Sequence, residues 1–234
     1  MKAFLLAAGE GRRLRPLTET TPKCLIPIRG TPLMALWLDL LERHGVTDVL
    51  VNLHHARDRV LAFLQSHRTS IRVSLVHEEQ LLGSAGTVAA NRQFVDGEQR
   101  FLIVYADNLT NVDLTRMIRF HDERCDPITI GVTRTDRPKE KGTVMLDRDH
   151  HVVAFEEKAA HPRSNLANAG IYVAGTGLFS YFPDRPAAGA VLDFGHHIFP
   201  RMIPNVSAYE ITEFLIDIGT MASYEAGQAI WPGL

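Results

Sequence analysis

Met1 to Pro27, MKAFLLAAGEGRRLRPLTETTPKCLIP, constrains what this chain can fold into more than any other stretch. Ala3 to Ala8 is an apolar run of strand length. It breaks into Gly9-Glu10-Gly11, and Arg12, Arg13, Arg15 and Lys23 follow. A buried strand feeding a glycine-rich turn loaded with cations is a way to hold a polyphosphate. Glycines let backbone N–H groups approach the anion, and the guanidinium and ammonium groups neutralise its charge. The spacing is not that of a P-loop, GxxxxGK followed by Ser or Thr. It is not GxGxxG either, because Arg12-Arg13-Leu14 stand where the third glycine would fall. A glycine turn alone is usually only a turn, and arginines beside it are usually solvated. Gly9, Gly11, Arg13, Pro16-Leu17-Thr18 and Pro22-Lys23 together carry the functional reading.

Composition bounds the rest. The 234 residues are enough for one sizeable α/β domain, and 45% hydrophobic with 22% charged is ordinary for a globular chain. A net charge of −2 carries no basic signature of nucleic-acid binding, so no nucleic-acid partner is expected. Two cysteines, Cys24 and Cys125, do not make a disulfide scaffold and suit a reducing cytoplasm. No apolar stretch has bilayer length, and no membrane partner is expected.

Hydrophobic period then alternates. Pro32 to His44 has Leu33, Leu36, Trp37, Leu40 and Leu41 at helical spacing, with Gly45 as a stop. Asp48 to Leu53 reads as a strand, Arg57 to His67 as a helix, Ile71 to His77 as a strand, and Arg100 to Tyr105 as the most apolar strand. Val112 to Arg124 reads as an amphipathic helix with Asp113 in its first turn. Ile128 to Thr133, a hairpin around Asp147-Arg148-Asp149, and Asn165 to Val173 add strands. Short helices over 176–182 and 194–203, a strand over 214–218 and a helix over 221–230 complete the chain. Strands alternating with helices predict a single Rossmann-like three-layer α/β domain with a mostly parallel mixed sheet. The expected division is a mainly nucleotide-binding half, 1–110, and a mainly sugar-phosphate-binding half, 111–234.

Several polar groups fall at element ends. His54 and His55 end a strand, where exposed loop histidines are the ordinary expectation. Glu78 to Thr87 opens a helix, where a glycine pair can let a flat base lie against the backbone; the bland alternative is an N-cap, with Ser84 as the capping residue. Asp107 follows the central strand and Asp217 a later one; either could be a capping residue or a metal ligand. Asp193 reads as an N-cap. Glu156-Glu157-Lys158 alone would be a solvated charge cluster.

At Gly9-Glu10-Gly11-Arg12-Arg13-Leu14-Arg15-Pro16-Leu17-Thr18 and Pro22-Lys23-Cys24-Leu25-Ile26-Pro27 the chain resembles the sugar-1-phosphate nucleotidyltransferases, the nucleotide-sugar pyrophosphorylases. Arg12 departs from the family's usual threonine. The resemblance continues at Glu78 to Gly86, at Ala106-Asp107 (a Gly-Asp pair in the family), at Glu156-Glu157-Lys158, at Asn168-Ala169-Gly170 and at Asp217-Ile218-Gly219-Thr220. It implies NTP and sugar 1-phosphate substrates and Mg²⁺ held by Asp107 and Asp217. Arg13, Lys23 and Lys158 would be catalytic. Leu6, Ala8, Gly9, Gly11, Arg12, Glu78, Gly83 and Asp107 would join Arg13 and Lys23 around the nucleotide. Asn108, Gly142, Glu157, Asn168 and Gly170 would join Lys158 around the sugar phosphate. A carboxylate at Glu78 could accept both N1–H and 2-amino hydrogens of guanine, which tilts the reading toward GTP with a manno-configured sugar, mannose or heptose 1-phosphate. UTP or dTTP remain alternatives. So do a cytidylyltransferase acting on a non-sugar phosphate and a non-catalytic binding protein of the same fold. Monomer and homodimer are both left open.

Overall fold

The computed structural model describes residues 1–54, 57–183 and 189–234. In chain order the regular elements begin with β1 (Lys2–Leu6), α1 (Leu17–Thr20), β2 (Pro27–Ile28), β3 (Thr31–Pro32) and α2 (Leu33–Arg43). Then come β4 (Asp48–Leu53), α3 (Arg57–Ser66), β5 (Arg72–His77), α4 (Ser84–Ala90), β6 (Phe101–Tyr105), β7 (Asn108–Thr110) and α5 (Leu114–Asp122). The last are β8 (Ile128–Arg134), β9 (Gly142–Leu146), β10 (Val152–Glu157), β11 (Leu166–Ala174), α6 (Phe199–Met202), β12 (Ser207–Glu210), β13 (Leu215–Asp217) and α7 (Met221–Ile230). The alternation produces the expected Rossmann-like α/β arrangement with a mostly parallel central sheet, whose antiparallel ladders lie in its later strands.

Two compact units interleave along the chain. The first comprises Met1–Leu81, Val104–Leu114 and Glu213–Leu234; the second comprises Leu82–Ile103 and Thr115–Thr212.

In the first unit β1, β4 and β5 run parallel, with Leu5 opposite Val51 and Val51 opposite Leu75. Near-continuous apolar runs such as DVLVNL suit strands covered on both faces. Six of the seven buried residues of α2 lie within Leu33 to Leu40, and among them Trp37 donates from Nε1 to the carbonyl of Asn108 at 2.8 Å. Trp37 and Trp231 are both packing residues, buried in this unit. β13 and β7 form a separate antiparallel pair with Asp217 opposite Asn108. α7 starts on a capping box: Thr220 Oγ1 accepts from Ser223 N–H at 3.2 Å, and Ser223 Oγ accepts from Thr220 N–H at 3.0 Å.

In the second unit β8 pairs antiparallel with β11 and parallel with β12, and β9 with β10 makes the expected hairpin. Phe155, Tyr172, Phe194 and Phe199 form one aromatic cluster with ring centroids 5.2–5.7 Å apart. The helix expected over 194–203 forms as a π-helical stretch over Phe194–Ile198 that runs into α6, and Asp193 caps it as expected, accepting from Gly195 N–H at 3.0 Å.

Three local expectations are corrected. Asp113 precedes α5 rather than lying in its first turn. Ser84 is the first residue of α4, not its cap. The cap position is Gly83 at φ +80°, and the amides of Ala85 and Gly86 donate to the Leu192 carbonyl at 3.0 and 3.1 Å. A distant main-chain oxygen therefore replaces the side-chain cap. His54 is half-buried, its Nδ1 2.8 Å from the Glu78 carbonyl, and His55 lies outside the described residues.

Removing the Thr220 hydroxyl breaks the box. Thr220→Ala is expected to cost about 1 kcal/mol, lowering the melting midpoint by about 2–4 °C in a thermal unfolding scan.

Candidate active site

The loop after β1 is built around Gly11. Its φ of +65° suits glycine, and a Cβ there would come within 2.7 Å of Thr18 Cγ2 and 3.2 Å of Lys23 Cβ. Thr18 donates its hydroxyl to the Gly11 carbonyl at 2.8 Å, and Leu14 N–H donates to the same oxygen at 2.9 Å. Gly9, by contrast, has open space around a would-be Cβ. The loop holds its cations differently. Arg12 is exposed and pairs with Glu10, which raises its pKa through that hydrogen bond and charge. Lys23 turns inward, its Nζ 2.6 Å from Asp107 Oδ2.

Asp107 stands in the turn between β6 and β7. Its carbonyl accepts from Ile218 N–H at 2.8 Å, and the adjoining residues Asn108 and Asp217 face each other across the β7–β13 ladder. The two aspartates therefore sit on directly bonded backbone although 110 positions separate their numbers. Asp217 is not a helix cap, since Thr220 does that work. A Cβ placed on Gly219 would lie 3.0 Å from Asp217 Oδ1 and 3.2 Å from Arg13 Nη2, so this glycine leaves the room in which Arg13 and Asp217 approach. Arg13, Lys23, Asp107 and Asp217 are thus brought together in the first unit. Two carboxylates are the hard oxygen donors that suit Mg²⁺, which takes one or two protein carboxylates and completes its shell with water and phosphate. No group of three or more His, Cys, Asp or Glu side chains able to hold a metal occurs among the described residues.

Also in the first unit, Leu6 and Ala8 flank Ala7, whose N–H donates to Asn52 Oδ1 at 2.8 Å. Leu6 accepts at its carbonyl from Ala106 N–H at 3.0 Å. Asn52 Nδ2 donates to Glu78 Oε1 at 2.9 Å, and both side chains are buried. Asn52 was missed in the sequence; its signal was a carboxamide inside an otherwise apolar strand. Asn108 is buried, with its carbonyl taken by Trp37.

In the second unit Gly142 lies at the start of β9, opposite Glu157 at the end of β10. A Cβ on Gly142 or on Gly195 would each meet Glu157 Oε2 at 2.6 Å, so two glycines make the niche for that carboxylate. Gly195 is a second residue the sequence reading missed. Burial pushes the Glu157 carboxyl pKa up; Lys158 and His196 oppose the shift and Asp193 reinforces it. Lys158 has φ +46°, is well exposed, and holds its Nζ 3.8 Å from Glu157 Oε1. Asn168 is occupied locally: it donates to Tyr172 Oη at 2.9 Å and accepts from Gly170 N–H at 3.1 Å, spanning the irregularity in β11. Gly170, at φ +66°, belongs to that bulge. Gly83 caps α4, and a Cβ there would meet the Leu192 carbonyl oxygen at 2.3 Å. Ser84 donates to Asp193 Oδ2 at 3.0 Å.

Cysteine chemistry is not available at the loop. Cys24 is buried and its thiol is pushed up to about 12 by that burial.

The family model described as "Nucleotidyl transferase" matches residues 2–230. A UTP–glucose-1-phosphate uridylyltransferase of a Synechocystis strain is 29% identical over 243 residues, covering 96% of this chain and 61% of that protein. Mannose-1-phosphate guanyltransferase beta-A of Xenopus laevis is 29% identical over 237 residues, covering 99% of this chain and 64% of that protein. The chain thus spans less than two thirds of the length of these curated relatives. A crystal structure from Bacillus anthracis, provisionally named a glucose-1-phosphate thymidylyltransferase and in complex with sucrose, superposes with TM-score 0.88 at 24% identity, covering 98% of this chain and 94% of that one. No helix among the described residues is long and apolar enough to cross a membrane.

Glu157 gives a pH test. Its folded pKa is raised, so the folded state binds a proton more readily than the unfolded chain. The contribution is full below the ordinary carboxylate value, about 4, and is lost as pH rises through the raised value. Glu157→Gln is expected to remove that decline, seen as a flatter plot of melting midpoint against pH from about 4 upward.

Proposed function

Because the chain belongs to the nucleotidyl transferase family, we propose that it transfers a nucleoside monophosphate from an NTP to a sugar 1-phosphate, releasing pyrophosphate and an NDP-sugar. One observation carries the reading: the ladder between β7 and β13 gathers Asp107 and Asp217, with Lys23 on the first and Arg13 beside the second. Two anionic substrates repel each other. A site that lets them react must supply cations and fixed positions rather than a nucleophile, because the attacking phosphate is already ionised at neutral pH.

The first unit would take the NTP. Backbone from Leu6 to Gly11 would lie against the nucleotide, Arg12 would face it from the rim, and Glu78 would read the base. Asp107 and Asp217 would hold Mg²⁺, which when bound neutralises phosphate charge and orients the phosphates. Arg13 would stabilise charge at the α-phosphorus and on the departing pyrophosphate, and Lys23 would move from Asp107 to the triphosphate. The second unit would take the sugar phosphate: Lys158 its phosphate, Glu157 its hydroxyls, with Gly142 leaving space and Asn168 and Gly170 shaping the wall. Glu78 as a double acceptor favours guanine, and the guanyltransferase relative supports GTP with a manno-configured sugar; the uridylyltransferase relative supports UTP as the second reading.

Pyrophosphate release with each of five NTPs against a panel of sugar 1-phosphates, with and without Mg²⁺, tests this. GTP with mannose or heptose 1-phosphate and Mg²⁺ should turn over fastest, and silence in every pairing would overturn the proposal. Arg13→Ala and Asp107→Ala should each lower kcat by roughly 10²–10³, a loss on the order of 2–4 kcal/mol.

A further inference from the structure

Asn52 lies near the carboxyl end of β4, in register with Leu6 of β1 and Val76 of β5. It is the polar residue of an apolar run and is only 4% exposed. A buried carboxamide is costly unless both its ends are satisfied. Here both are. The Ala7 N–H can only donate, so the end it meets must be the oxygen, Oδ1, at 2.8 Å. The nitrogen end then faces Glu78 and donates to Oε1 at 2.9 Å. Glu78, also 4% exposed, has its main chain held as well: its N–H donates to the Leu53 carbonyl at 2.8 Å, and His54 Nδ1 lies 2.8 Å from its carbonyl oxygen.

We propose that Asn52 is a positioning residue for base recognition, which orients Glu78 and makes it an acceptor-only edge for the nucleotide base. This rests on the reading of Glu78 as the base-contacting residue of a nucleotidyltransferase. A carboxylate has about four acceptor positions, so the hydrogen bond that Asn52 donates to Oε1 can fix its orientation without exhausting its capacity to accept. Against such an edge guanine presents N1–H and its 2-amino group, and uracil or thymine presents N3–H. Adenine and cytosine present a bare ring nitrogen, which repels it. Asn52 also ties this edge to the main chain at Ala7, so the same side chain positions the base reader and the entry to the glycine loop.

The chemistry can be inverted without changing shape. Glu78→Gln keeps the outline, but Asn52's N–H claims the new carbonyl and turns an amide donor toward the base. GTP and UTP binding should weaken roughly ten- to hundredfold, and the gap to ATP and CTP should narrow. Asn52→Asp sets one carboxylate against another, and nucleotide affinity should fall by a similar factor. Combining the two substitutions restores a donor–acceptor pair: the introduced amide donates to the introduced carboxylate and shows its carbonyl to the base. The order of the four NTPs should then return to that of the wild type, with affinity within about fivefold.

Binding of GTP, UTP, ATP and CTP is measured by calorimetry with Mg²⁺ on all four proteins, beside KM, kcat and melting midpoint. The change should fall in KM for the NTP, with kcat at saturation little altered. If the variants lose stability yet keep the wild-type order of the four nucleotides, or if the double variant is no better than the worse single one, Asn52 has no role in base reading. Should Asn52→Asp fail to fold, Glu78→Gln and the double variant still decide the matter by their opposite rankings. A wild-type protein that turns over an NTP while Glu78→Gln leaves the ranking untouched overturns this inference alone. A wild-type protein that binds none of the four overturns it together with the functional reading.

Discussion

The main-chain hydrogen bond from Ile218 to Asp107, and the short β7–β13 ladder it belongs to, is the constraint on which the candidate catalytic centre depends. It joins two segments that are remote in the chain and brings the main chains at Asp107 and Asp217 together. Like charges brought near each other repel, more strongly as water is excluded. The arrangement is tolerable because each carboxylate has a cation at hand: Lys23 on Asp107, and Arg13 at the side of Asp217 left open by Gly219. Both cations come from one loop, whose path depends on the left-handed backbone at Gly11 and on the Thr18 hydroxyl. Around this centre the packing is conventional. Trp37 reaches Asn108, and Thr220 begins α7 one residue after Gly219.

The second unit solves a different problem, that of keeping a carboxylate half-buried in largely apolar surroundings. Phe155, a member of the aromatic cluster with Tyr172, Phe194 and Phe199, shares the space at Gly142 and Gly195 with the Glu157 carboxylate. Burial raises its pKa; Lys158 and His196 keep the shift in check.

Much of this was legible in the residues. The apolar run DVLVNL, the alternation in IRVSLVH and the helical spacing of Pro32 to His44 marked their elements, because strands and helices of this length bury an apolar face. Asp193 was readable as a cap from its position alone. Ser84 as a cap was the bland alternative, since serine is among the favoured N-caps, and only tertiary structure delivers the Leu192 carbonyl that takes the place of a side-chain cap. The resemblance marks Asn168, but its hydrogen bonds to Tyr172 and Gly170 within its own strand had no signature in the residues. Short strands such as β7 and β12 have no period to read, since three or four residues cannot display one.

The sequence by itself determined the alternation of strands and helices, the glycine and proline punctuation of the first loop, and the kinds of charged side chain available, because these follow from local backbone preference and composition. Only the tertiary structure decided which charges meet. Lys23 with Asp107, Arg13 near Asp217, and Asn52 between Ala7 and Glu78 are all contacts across long stretches of chain. Their pairing is set by strand register and by the need to satisfy buried polar groups, and neither has a local signature.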